Sequence, residues 1–337
     1  MKNISIIIPH YNGEKLLQRC LESIYNNTEE GCEIIIVDNN SSDSSVEMIK
    51  KKFPQVKIII NKTNLGYAGA CNIGAKEAKH EYLFFLNNDT EVDKNWAEPL
   101  INKLKDDSIA SVQPKIKSII KKEYFDYAGA SGGYIDIFGY PFCRGRIFST
   151  IEKDNMQYEE EAFIFWASGT AFATKKEIFI KSGMFDLTLF AHMEEIDYHW
   201  RTQMMGYKIA ICPKSIIYHE GGKTLSYQSS KKTYLNHRNN LIIFLSNHKI
   251  SIVLALLIPR LILHLVSTLV DLISFKFNHF FAQIKAFLWV LLNPIYIIKK
   301  RIHNNTLKKK NYSLNGMIKK SIVFNYFILG KKHFNKY

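Results

Sequence analysis

Apolar runs recur through the first ninety positions, and the segments between them follow a different period. ISIII (4–8), EIIIVD (33–38), VKIII (56–60) and YLFFL (82–86) are short, β-branched or aromatic, and nearly continuous. That is the pattern of strands buried on both faces. Between them, GEKLLQRCLESIYN places apolar residues at 16, 17, 20, 21 and 24, and SSVEMIKKKF opens with capping-box spacing from Ser44 to Glu47, so both segments predict helices. Strands alternating with helices predict an α/β fold with a doubly wound, mostly parallel sheet. Residues 115–160 are irregular and rich in glycine and aromatics, which predicts loops over the sheet edge. Beyond them, 163–174 reads as a strand, 175–183 as a short helix closed by Gly183, 194–208 as a helix closed by Gly206, and 208–213 as a strand.

The pattern changes in the last hundred residues. SIVLALLIPRLILHLVSTLVDLISF (251–275) is long enough to cross a bilayer but carries Arg260, His264, Ser267 and Asp271. At 100° per residue these four form a narrow polar stripe within about 60° of arc, which predicts a helix lying in a membrane interface. A second apolar stretch at 280–298 leaves a two-pass hairpin as the alternative. The chain therefore divides into a unit at 1–240 and a basic, apolar, helical membrane-associating region at 241–337.

Charge sharpens that division. The formal charge is +14, yet from residue 223 onward 19 Lys and Arg face one acid, Asp271, while residues 1–222 carry a net −4. A front half of acidic balance does not track a phosphate backbone, so nucleic acid is excluded as a partner. A basic, apolar tail suits an anionic membrane surface. Five cysteines without a CxxC pair suggest neither a disulfide framework nor a zinc site, and MKNISIIIPHYNG lacks the form of a signal peptide, so a cytosolic setting is expected.

In open α/β sheets ligands collect outside the carboxyl ends of the strands, where Asp38 and Asp89 end two of the runs. The turn after the first strand, PHYNGEK, has one glycine rather than GxGxxG, which sets aside a dinucleotide-binding oxidoreductase. Each candidate also has a plainer reading. Asp38 suits an Asx turn, NLGYAGACNIGAK a glycine turn into a closely packed helix, and FIFWASG a core strand. His219 suits a surface or hydrogen-bonded position, and Arg144 and Arg146, which could hold an acceptor phosphate, suit a solvated loop. In EEID (194–197) the acids suit a helix N-terminus, with Asp197 pairing Arg201. On that helix Glu194 and Asp197 share a face, with Glu195 about 100° away.

SIIIPHYNG, EIIIVDNNSSD, NLGYAGACNIGAK, YLFFLNNDTEV, SGMFDLTLFAHMEEIDYHWR and YHEGGKT occur in that order over residues 3–240. In this series the chain resembles the inverting family 2 glycosyltransferases of GT-A fold, particularly the rhamnosyltransferase-like branch of bacterial polysaccharide assembly. The resemblance implies transfer of one sugar from a nucleotide-diphosphate sugar to a glycan acceptor, lipid-linked or polymeric, at the cytoplasmic face of the bacterial inner membrane. It puts the donor nucleotide against Pro9, Asp38, Asn64, Gly66, Gly69, Asn72 and Asn87. It puts a Mn2+ or Mg2+ ion on Asp89 with His219, and an acceptor against Trp166 and Gly169. The catalytic base falls on Glu195, with Glu194 as fallback. Where the family's metal motif has an earlier Asp, this chain has Asn87; where its base is an Asp, this chain has Glu195. Two rival functions are a catalytically inactive scaffold of the same fold and a sugar-phosphate nucleotidyltransferase. The latter would want a Gly- and Lys-rich loop after the first strand, and PHYNGEK is not one.

Overall fold

The computed structural model describes residues 3–28, 30–221 and 229–336. The strands are β1 (Ile4–His10), β2 (Glu33–Asp38), β3 (Lys57–Ile60), β4 (Tyr82–Leu86), β5 (Thr90–Val92), β6 (Ile109–Ser118), β7 (Gly133–Asp136), β8 (Pro141–Cys143), β9 (Arg146–Ile147), β10 (Thr150–Ile151), β11 (Ala162–Ile164), β12 (Ala171–Lys175), β13 (Lys208–His219) and β14 (Met317–Ile318). The helices are α1 (Glu14–Asn27), α2 (Ser45–Lys52), α3 (Gly66–Glu77), α4 (Ala97–Leu104), α5 (Lys176–Lys181), α6 (Glu194–Met204), α7 (Ser230–Asn247), α8 (Ile250–Ile273), α9 (Phe277–Leu292), α10 (Pro294–Thr306) and α11 (Ile322–Phe327).

The main sheet runs β11-β13-β6-β12-β4-β1-β2-β3, with β5 paired to β13. In it β3, β2, β1, β4, β6 and β13 point one way, and β12, β11 and β5 run against them. Alternate residues of one strand feed opposite layers, as a sheet covered on both faces requires. Ile6 and Ile8 pack with Leu17, Leu21, Phe84 and Trp96, whereas Ile7 packs with Ala70, Phe85, Phe172 and Tyr198. The carboxyl ends of β1, β2, β4 and β13 fall on one edge, which brings His10, Asp38, Asn87 and His219 to the same side of the sheet.

Three local expectations are corrected. Ser44 makes no side-chain cap on α2. Asp43 does that work: its Oδ1 accepts the Ser45 amide at 3.2 Å, and its Oδ2 accepts the Gly13 and Glu14 amides at 2.7 and 3.0 Å. One carboxylate thus ties together the N-termini of α1 and α2, where the helix dipoles favour negative charge. The segment 163–174 is two strands, β11 and β12, because residues 165–170 leave the sheet and are held by Gln113, whose Oε1 accepts the Ser168 amide at 2.9 Å. Residues 115–160 are no loop field either. Short strands within them, β7 to β10, build a second sheet, β10-β9-β8-β7-β14, whose last strand comes from the tail.

The tail is woven into the rest of the chain. α7 crosses residue 240 and packs on α6, α9 and α10. Asp197 on α6 is fully buried; its Oδ2 accepts from Arg201 Nε at 3.0 Å and from Lys300 Nζ at 2.9 Å, and its Oδ1 accepts from Asn247 at 2.9 Å. Burial disfavours the charged carboxylate, but Lys300 and Arg201 outweigh it and hold its pKa at about 2. The Asp197–Arg201 pair expected along the helix is therefore present, with a third partner from the tail.

α8 is long and apolar enough to cross a membrane, and α9 and α10 meet at a 71° bend. The polar stripe on α8 faces inward, not toward water as an interfacial helix lying on its apolar side requires. Arg260, His264 and Thr268 are buried, and Leu254, Ile258, Ile262, Leu265, Val266, Leu269 and Ile273 are exposed.

Candidate active site

A cavity of about 650 Å³ opens at the carboxyl edge of the sheet. Its floor comes from the ends of β1 and β4, its walls from the loop before α6, the second sheet and α7, and Arg260 and Ser267 of α8 reach into it.

β13 pairs antiparallel with β5, so His219 lies opposite Thr90 and its ring comes beside Asp89, with Nε2 3.2 Å from Asp89 Oδ1. The other ring nitrogen, Nδ1, lies 2.9 Å from Oδ1 of Asp126, a residue of the loop after β6. All three side chains are buried. Burial works against a charged ring, but the hydrogen bonds and charges of Asp126 and Asp89 prevail and push His219 up to about 10. Asp89 Oδ1 is a buried oxygen with no hydrogen bond of good geometry. An orphaned carboxylate oxygen next to an imidazole that a second carboxylate orients is a donor set that fits a divalent cation whose remaining positions are filled by phosphate or water oxygens. Among the described residues no group of three or more His, Cys, Asp and Glu is arranged to hold a metal by itself.

Across the cavity stand Glu194 and Glu195, at the first turn of α6. The loop before them is bent into the left-handed region at Phe190, His192 and Met193, with φ of 63°, 66° and 72°. Conformations of that kind persist only where the surroundings impose them. Asn239 of α7 does so, donating from Nδ2 to the carbonyls of Leu189, Ala191 and His192 at 2.9, 3.1 and 2.7 Å. Burial raises the Glu195 carboxyl to about 7, against the opposing pull of the backbone amides of Glu195, Ile196, Gly169 and Met193. Burial and the charge of Glu195 push Glu194 well above the usual carboxylate range. Two adjacent acids thus differ in their readiness to ionise, and Glu195 is poised near neutrality.

A family model described as Glycosyl transferase family 2 matches residues 5–183. The chain belongs to that family. Glycosyltransferase GlyG of Streptococcus pneumoniae is 32% identical to this family 2 member over 144 residues, 42% of this chain and 45% of that protein. A poly(ribitol-phosphate) beta-glucosyltransferase of Bacillus spizizenii is 45% identical over 92 residues, 26% of this chain and 14% of that one. The chain spans less than half the length of the curated relatives it matches. Among solved structures, GalNAc-T7 with UDP, GalNAc and Mn2+ superposes with a TM-score of 0.57 at 22% identity, over 72% of this chain and 47% of that one. The mannosyltransferase PcManGT of Pyrobaculum calidifontis with GDP-Man and Mn2+ gives 0.52 at 13% identity, over 90% and 88%. These likenesses establish the fold, an α/β architecture of GT-A type.

In this family 2 chain the cavity gathers Pro9, Asn64, Gly66, Asn87, Asp89, Trp166, Gly169, Glu194, Glu195 and His219. Three expected donor contacts are not among its lining residues. Asn72 spends its amide on Phe185, donating from Nδ2 to the carbonyl at 2.8 Å and accepting the amide at 3.0 Å. Gly69 lies inside α3, where a Cβ would come 2.6 Å from Leu65 Cβ, so its smallness serves packing. Asp38 is buried, with Oδ2 accepting the Ser41 amide at 3.0 Å, the Asx-type turn its sequence context suggested, and with Oδ1 making no hydrogen bond among the described residues.

Gly66 is required by the backbone: at φ +72° a Cβ would sit 2.4 Å from the Phe190 carbonyl, at the loop that leads to Glu195. Trp166 is buried, its Nε1 donating to the Tyr134 carbonyl at 2.9 Å, and Gly169 accepts at its carbonyl from Tyr67 Oη at 2.6 Å. Glu220 flanks the site and pairs with Arg19. Gly222, which completes the YHEGG motif, lies outside the described residues. Arg144 and Arg146 are buried, contrary to the solvated loop expected for them: Arg144 Nε donates to Ser131 O and Arg146 Nε to Tyr127 O, both at 2.9 Å.

The sequence reading missed Asp126, His10, His192, Lys231, Lys232 and Arg260 as part of the site; of the two arginines it weighed for an acceptor phosphate, Arg146 lines the cavity. His10 ends β1 with its Nδ1 2.8 Å from Asn88 Nδ2, and burial holds its pKa down at about 4. For His10 the strand-end position was a usable signal, whereas Asp126 reaches His219 from the loop after β6, a placement that no local pattern encodes.

Proposed function

We propose that the protein is an inverting glycosyltransferase that moves one sugar from a nucleotide-diphosphate sugar to a glycan acceptor at the cytosolic face of a membrane. The observation that carries this reading is a carboxyl group, Glu195, held near neutrality in the same cavity as the Asp89–His219 pair. A general base works best with a pKa near the operating pH. Glu195 accepts the proton of the acceptor hydroxyl as that oxygen bonds to the anomeric carbon, and the bond from that carbon to the donor phosphate breaks, releasing the nucleoside diphosphate. One displacement at one carbon inverts it.

Asp89 and His219 are the residues to hold a divalent cation, Mn2+ or Mg2+, which when bound neutralises charge on the departing diphosphate. Asp126 keeps the His219 ring in position. Asn64, Gly66 and Asn87 line the donor side, and Trp166 and Gly169 the acceptor side. Glu194, pushed further above the usual carboxylate range by burial and by the charge of Glu195, is the less ready of the two to take part as a base.

The exposed apolar face of α8 continues over Phe281, Leu288, Leu291, Leu292, Ile295 and Ile298, and residues 299–337 carry eleven Lys and Arg and no acid. Apolar surface beside basic charge is the arrangement that seats a protein on an anionic leaflet. The inward polar stripe, satisfied within the protein by Tyr140, Asn240 and Gln283, leaves the apolar face of α8 to meet lipid.

The deciding experiment incubates the purified full chain with UDP-, dTDP- and GDP-sugars and Mn2+ and follows nucleotide release. At least one donor is expected to be hydrolysed slowly and faster with membrane extract; no binding or turnover of any nucleotide sugar would reject the reading.

A further inference from the structure

The cavity has a cationic wall that donor chemistry at Asp89 and Glu195 does not use. Arg146, Lys231, Lys232 and Arg260 all line it. Arg260 is 1% exposed and donates to the Phe138 carbonyl at 3.0 Å, to Tyr140 Oη at 2.7 Å and to Asn240 Oδ1. Its guanidinium also lies 4.3 Å from the centre of the Tyr140 ring. Arg146, 8% exposed, donates to the Tyr127 carbonyl and lies 4.5 Å from the Tyr127 ring centre.

Among the described residues neither arginine makes an ion pair with a carboxylate. The acids whose charge reaches them are engaged elsewhere. Asp126 binds His219 and the Ala128 amide, and Asp136 accepts the amides of Phe138, Tyr140 and Ile322. Burying a guanidinium against carbonyls and aromatic rings alone is costly unless an anion completes it.

Arg260 sits on α8, and the other side of α8 is the exposed apolar face. A helix is roughly 10 Å across, so the cationic wall lies about one helix diameter from that surface. An anion bound there is within reach of a hydrocarbon chain that continues into lipid.

We propose that Arg260 and Arg146, with Lys231 and Lys232, form an anion subsite for the phosphate of a lipid-borne acceptor, and that the enzyme selects amphiphiles bearing phosphate next to the chain. This rests on the glycosyltransferase reading above.

The test measures binding of farnesyl phosphate, farnesol and ribitol 5-phosphate to the full chain in detergent, by tryptophan fluorescence, with Mn2+ and the best-bound nucleoside diphosphate saturating the donor side. Farnesyl phosphate is expected to bind at least tenfold tighter than either comparator, a comparison that needs no variant. Arg260→Gln and Arg146→Gln should each bring that preference close to unity, and Arg260→Lys should restore part of it. Farnesol binding as tightly as its phosphate would overturn the subsite, and ribitol 5-phosphate matching farnesyl phosphate would overturn the lipid. So would an Arg260→Gln protein that melts like the wild type and keeps the full preference. A chain that binds no nucleotide sugar yet still selects farnesyl phosphate over farnesol would sink the glycosyltransferase reading and leave the subsite standing.

Discussion

Lys300→Met tests whether the tail is part of the folded catalytic unit. Lys300 Nζ lies 2.7 Å from Asp186 Oδ2 and 2.9 Å from Asp197 Oδ2, joining α10 to the loop before α6 and to α6 itself. Removing one partner from a buried ion pair costs about 3–5 kcal/mol, because the remaining charge stays desolvated. Tyr296 Oη on Asp186 and Arg201 on Asp197 persist in the variant, so the lower end, about 3 kcal/mol, is expected. Scaled by the unfolding entropy of a chain this long, that is a fall on the order of 4 °C in Tm.

The pH dependence has a definite sign. Asp197 goes from 3.8 to about 2 on folding, so its stabilisation, about 2 kcal/mol, is present above 3.8 and is lost as the pH falls through 2. Removing Lys300 should therefore narrow the difference between the two proteins as the pH falls from 7 toward 2. Thermal melts in detergent, with exposed Lys299→Met as control, provide the measurement. A Lys300→Met protein that melts with the control at pH 7 would show that the tail is an appendage.

Other outcomes follow from the site. Asp89→Asn should abolish metal-stimulated donor hydrolysis while leaving the fold intact, and hydrolysis that survives EDTA in the wild type would remove the cation from Asp89 and His219. Asn239→Ala frees three carbonyls of the loop that aims Glu195, so kcat should fall on the order of tenfold to a hundredfold with donor KM little changed; an unaltered kcat would show that the loop needs no clamp. Glu195→Gln should raise Tm at pH 8 and leave it unchanged near pH 4.5. The folded-state carboxyl titrates near 7 rather than 4.5, so ionisation opposes folding above 4.5, by at most about 3 kcal/mol once the pH passes 7. A lower Tm at pH 8 would mean that Glu195 is not held against its charge.

The parts of the fold legible in the sequence are those with local causes. β1 to β4 and the first two helices follow from apolar runs and period, and Asp89 and His219 stand out as polar residues at strand ends. What pairing over long distances decides was hidden. The loop at 165–170 exists because Gln113 and Tyr67 hold it away from the sheet, and β14 completes a sheet begun nearly two hundred residues earlier.

Periodicity located the stripe on α8 but not its direction, because a helical wheel ranks faces without saying what stands opposite. Tyr140 and Asn240 take Arg260 inward. The same holds for Asn72, whose amide is a plausible ligand donor until Phe185 is seen to satisfy both of its ends.

Sugar transfer requires Glu195 to be the group that receives the acceptor's proton. Donor binding and sugar transfer by Glu195→Gln and Glu194→Gln, measured in the same preparations from pH 5 to 9, test this most directly. Glu195→Gln should bind the nucleotide sugar within threefold of the wild type yet transfer roughly 10²- to 10⁴-fold more slowly, while wild-type kcat/KM rises with an apparent pKa near 7. Wild-type transfer by Glu195→Gln, with the loss found in Glu194→Gln instead, would contradict it.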